Sequence, residues 1–69
     1  MSDNTIVVHV FVKPPLSESI REAMNMAALI VARAAYGEGL AVEEIAESWH
    51  QSWERDSVAL KYKARAADA

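Results

Sequence analysis

The sequence predicts an α+β fold, a short N-terminal strand followed by two helices (β-α-α), assembled as a homodimer whose strands pair antiparallel between protomers. Three observations predict it: a β-branched run that ends at two prolines, two long stretches with apolar residues at helical spacing, and a chain of 69 residues without cysteine. A chain this short buries only about 60% of its unfolded surface, and a single core of that size seldom supplies enough stability alone. Neither disulfides nor thiolate-bound zinc can make up the deficit, so self-association is expected to do so. Residues 1–69 form one small domain, with fraying expected at 1–4 and 66–69.

The strand is Thr5 to Lys13, closed by Pro14-Pro15, which cannot continue a hydrogen-bonded ladder. Alternation places Ile6, Val8, Val10 and Val12 on one fully apolar face and Thr5, Val7, His9, Phe11 and Lys13 on the other. No second strand is read elsewhere in the chain, so the backbone groups of this one call for the same strand of another protomer. Ile6, Val8, Val10 and Val12 are the expected dimer residues.

The first helix starts after the prolines, with Ser17 or Ser19 as N-cap and Ser19 and Glu22 at capping-box spacing. Ile20, Met24, Ala27, Val31 and Ala34 recur at steps of four and three, and Ala23, Leu29, Ile30 and Ala35 widen the apolar surface. This helix is expected to be central, and Gly37 suits the left-handed position that stops it. The second helix begins near Leu40 and meets no glycine or proline before the end of the chain. Its inward stripe is Val42, Ile45, Ala46, Trp49, Trp53 and Leu60, broken around Asp56 and Ser57. The break implies a bend, or a second half that projects from the body.

A net charge of -3 argues against affinity drawn mainly from phosphate neutralisation, though it leaves room for a narrow basic site. Met1 to Thr5 carries no Lys or Arg and leads into a strand, so no secretion signal is expected. The most apolar stretch, Ala23 to Tyr36, is shorter than the roughly 20 residues a membrane span needs. No membrane partner is expected, and the absence of cysteine suits a small acidic protein of the cytoplasm.

Glu47-Ser48-Trp49-His50 has the Glu-x-x-His spacing of carboxylate-bridged di-metal bundles. The facing turn of the first helix, Ala27 to Ile30, offers no carboxylate to complete such a site. Glu47, His50 and Glu54 are therefore read as a solvated helix face. His9 and His50 have no Ser, Cys or acidic partner in a nucleophile arrangement, and two glycines bounding a turn build no phosphate loop. No catalytic residue, cofactor or metal is expected.

The aromatic residues are more telling. Trp49 and Trp53 form an i, i+4 pair read first as core, and an indole found exposed would be the best anchor for a partner. Lys61, Lys63 and Arg65 around Tyr62 form the basic cluster. The chain is expected to be a non-enzymatic dimeric protein-interaction module, acting as an adaptor, regulator or inhibitor. Its partner-binding residues would be Val7, His9, Phe11, Trp49, Trp53 and Tyr62.

The order of elements, Ile6 to Pro15, Leu16 to Tyr36, Gly37, then Leu40 onward with Glu43-Glu44-Ile45, resembles the ribbon-helix-helix family of dimeric DNA-binding regulators and antitoxins. In that family paired strands lie in the major groove and outward side chains read bases. The resemblance implies an alternative function as a transcription regulator or antitoxin, with Thr5, His9 and Lys13 contacting nucleic acid.

Overall fold

In a computed structural model, which describes residues 4–66, the chain runs β1 (Thr5–Phe11), α1 (Glu18–Tyr36), β2 (Leu40–Gln51) and β3 (Asp56–Ala66). The three strands form one antiparallel sheet in the order β1-β3-β2, with α1 against one face. The β-α-α expectation is thus corrected to β-α-β-β: the stretch read as a second helix is a β-hairpin. The strand-helix-helix order that carried the family resemblance is not the order the chain adopts.

The first half follows its sequence closely. Strand β1 turns Ile6, Val8, Val10 and Val12 toward the core and leaves Val7, His9 and Phe11 exposed. Ser17 is the N-cap, its Oγ accepting from Ile20 N at 3.3 Å. Gly37 closes the helix at φ 121°, donating its N–H to Arg33 O at 3.1 Å. The contact stripe of α1 differs from expectation: Met24, Ala28 and Ala32 are buried, while Ile30 and Val31 are exposed. The alanines let the helix approach the sheet closely, and the larger residues flank the contact.

β1 is paired on one side within the chain. β3 lies beside it, Ile6 opposite Tyr62 and Val10 opposite Val58, and β1 forms one edge of the sheet. The proposed interprotomer residues Ile6, Val8, Val10 and Val12 instead meet α1 and the rest of the core. β3 is the central strand, and its inward residues Val58, Leu60 and Tyr62 have no solvent exposure. The alternation that places them there, with Lys61, Lys63 and Arg65 outward, is the period of a half-buried strand.

Strand β2 carries a bulge between Glu44 and Ala46. Leu40, Val42 and Glu44 oppose the inward residues Ala66, Ala64 and Tyr62, and beyond the bulge Glu47 and Trp49 oppose Leu60 and Val58. One extra residue thus resets the alternation so that Glu44 and Glu47 share the helix side. Arg33 of the last helical turn fixes the start of this strand, donating from Nε to Leu40 O at 3.1 Å.

At the chain ends, Asn4 O accepts from Ala64 N at 2.9 Å, and Ala66 pairs with Leu40. The rest of the fraying expected at 1–4 and 66–69 falls on residues 1–3 and 67–69, outside the described residues. Among the described residues no helix is long and apolar enough to cross a membrane.

Candidate interaction surface

With one helix on one side, the opposite face of the sheet is left open. Residues directly opposed in an antiparallel sheet share a face, so the register gives this surface row by row. From one end the rows are Phe11, Ser57 and His50, then His9, Ala59 and Ser48, then Val7, Lys61 and Ala46. Thr5, Lys63 and Glu43 follow, and Arg65 beside Ala41 completes it.

The first end is aromatic. Phe11 is 62% exposed, its ring 5.5 Å from that of His9 and tilted by 44°. The Arg55 guanidinium sits over the same phenyl ring, 4.7 Å from its centroid, a cation–π contact. Val7, at 59% exposure, extends the apolar strip along β1.

Its other end is basic. Lys61 and Lys63 project from the central strand without an ion-pair partner among the described residues, and Arg65 Nη1 lies 3.3 Å from Glu43 Oε1. Glu43 is the only carboxylate in these rows. The bulge produces this segregation, because it turns Glu47 to the helix side together with Glu44.

On the helix side those two carboxylates are clasped by Arg21. Its Nη1 donates to both oxygens of Glu44 at 3.0 Å, and its Nη2 donates to Glu47 Oε1 at 2.9 Å. Trp49 Nε1 donates to Glu47 Oε2 at 2.7 Å. That indole bond, and after it the guanidinium, holds the Glu47 carboxyl below the ordinary glutamate range. Arg21 is pushed up by its bonds to Glu47 and Glu44. Beneath them Tyr62 is buried, its hydroxyl without a hydrogen-bond partner among the described residues, and burial followed by the charge of Glu44 raises its pKa. The cluster joins α1 to β2.

The hairpin tip, Ser52 to Arg55, presents the other exposed aromatic. Ser52 Oγ donates to Arg55 O at 2.8 Å and accepts from the N–H groups of Arg55 and Glu54 at 3.1 and 3.3 Å. A backbone bond from Ser52 N to Arg55 O closes the turn, and no residue in it has positive φ. The turn is held by a serine side chain bonding the backbone and needs no glycine at positive φ. Trp53 stands on this fixed turn at 92% exposure.

The residues singled out from sequence therefore divide. Val7, His9 and Phe11 lie together on the open face, and Trp53 is exposed at the hairpin tip. Tyr62 lies within the core with no exposed surface, and Trp49 is half-buried against that core. Thr5 and His9 belong to the open face, while Lys13 lies past the end of β1. Glu47 and His50, at metal-ligand spacing on a helix, fall on opposite faces of a strand. Arg55 was not anticipated; its place over Phe11 follows from the turn, and no sequence spacing signals it. No family model matches the chain, and no curated protein or solved structure matches it significantly.

Proposed function

We propose that this chain is a non-enzymatic protein-interaction module, an adaptor, regulator or inhibitor that engages another protein through Trp53. The observation that carries this reading is the 92% exposure of a tryptophan on a turn fixed by the Ser52 side chain. Tryptophan is the residue type most enriched at binding hot spots, and a preordered turn lowers the entropy lost on docking.

The test is quantitative affinity capture from nuclease-treated host lysate, comparing the wild-type chain with Trp53→Ala. A protein retained by the former and lost by the latter, at equal melting temperature, is the expected result. Identical capture by both would overturn the reading.

A further inference from the structure

We propose that the open face of the sheet binds a single-stranded polynucleotide, stacking a base on Phe11 and following the backbone along Lys61 and Lys63. This site is separate from the Trp53 contact and goes beyond it.

Charge is the first argument. In a chain of net charge -3, the rows of this face carry Lys61, Lys63 and Arg65 against the single carboxylate of Glu43, which Arg65 already engages. The two lysines stand two apart on the central strand and lack ion-pair partners among the described residues, so they are free to neutralise phosphates. Composition disfavoured a broad basic surface; the fold makes a narrow one by turning Glu44 and Glu47 to the other side.

Shape and stacking are the second. Phe11 is exposed, with the Arg55 guanidinium over one face of its ring and the His9 ring tilted beside it, so a nucleobase stacks on the uncovered part of the phenyl ring or on the guanidinium plane. Across from them the central strand offers only Ser57, which is buried, and Ala59, so small side chains separate Phe11 and His9 from His50 and Ser48 of β2. From Thr5 to Phe11 the face is about 20 Å long at 3.3 Å per residue. That accommodates about four nucleotides, the lower end of site sizes for single-strand binders. A three-stranded sheet face is broader than the two-stranded ribbon that a major groove admits, whereas unpaired bases can lie on it.

Fluorescence anisotropy with labelled oligothymidylate, oligouridylate and a duplex of the same length tests the site. Both single strands should bind more tightly than the duplex, with a log–log salt slope of about -2 if Lys61, Lys63 and one arginine meet phosphates. Phe11→Ala should weaken binding by about 5-fold or more, the low end of the stacking range. Phe11→Leu, which keeps the apolar volume, should weaken it similarly, so a folding defect is separated from loss of the ring. The Lys61→Gln, Lys63→Gln pair should flatten the salt slope, and Trp53→Ala should leave binding unchanged. No anisotropy change at low salt, tighter binding of the duplex, or binding indifferent to Phe11 would overturn the proposal.

Discussion

Arg21 Nη1 lies 3.0 Å from both carboxylate oxygens of Glu44, tying the first turns of α1 to the middle of β2. The same guanidinium reaches Glu47 through its other terminal nitrogen. A planar fork can serve two carboxylates at once, which a lysine ammonium cannot do with the same geometry. Arg21→Met is expected to lower the melting temperature by a few degrees, because it leaves two neighbouring carboxylates uncompensated. Arg21→Lys should recover only part of that loss in a thermal melt, and full recovery would show that charge alone is at work.

The same cluster sets a pH dependence. The Glu47 carboxyl is held low, first by the Trp49 indole N–H and then by Arg21. A carboxylate whose pKa falls on folding adds stability above its unfolded pKa, and that stability is lost as the pH drops through the folded value. Urea titrations of the wild-type chain and Glu47→Gln should therefore differ most at neutral pH and converge below the ordinary carboxylate range. A difference that stays constant with pH would contradict this account of the bond.

Tyr62 makes a prediction of the opposite sign. Its hydroxyl is buried without a hydrogen-bond partner among the described residues, so removing it deletes a desolvated polar group and leaves the ring in place. Tyr62→Phe should be neutral or should raise stability by up to about 1 kcal/mol. A clear loss of stability by denaturant titration would mean that the hydroxyl is bonded in solution.

The two tryptophans should behave differently under one substitution. Trp49→Ala removes a side chain packed on the core and the donor to Glu47, and should cost about 2 kcal/mol or more. Trp53→Ala removes an indole in water and should change stability by less than about 0.5 kcal/mol. Equal losses in parallel melts would place Trp53 in a folded contact.

Deleting Ile45 tests the bulge. Ile45 is the residue that opposes none of β3, so without it Glu44 and Ala46 become neighbours opposite Tyr62 and Lys61, and every other β2–β3 pair keeps its partner and its face. Circular dichroism should show native structure for the deletion, as for Ile45→Thr, which keeps the chain length. Loss of folded structure in the deletion variant would show that β2 needs the local bend of the bulge and not only the register on either side of it.

The open face was partly legible in the sequence. Alternation from Thr5 to Lys13 already placed Val7, His9 and Phe11 together, opposite Ile6, Val8, Val10 and Val12. It could not place Lys61 and Lys63 beside them, since that depends on the pairing of β1 with β3. Arg55 over Phe11 and the exposure of Trp53 likewise depend on a turn made by a serine side chain, with neither glycine nor proline to announce it.

By itself the sequence determined β1 with its two faces, and α1 from a serine cap, Ser17 or Ser19, to the Gly37 stop, because both rest on short-range rules: alternation, capping and a glycine at positive φ. Residues 40–51 were decided otherwise. Leu-Ala-Val-Glu-Glu-Ile-Ala-Glu-Ser-Trp-His-Gln is rich in helix formers, and its apolar residues also fit a helical stripe. Only tertiary structure made it a strand. Val58, Leu60 and Tyr62 had to cover the helix from a central strand, and that strand required a hydrogen-bonded neighbour on each side. β1 supplied one and β2 the other, and pairing and burial outweighed local preference, the order of strength expected when propensities amount to a fraction of a kcal/mol per residue, about 0.7 at most for ordinary side chains.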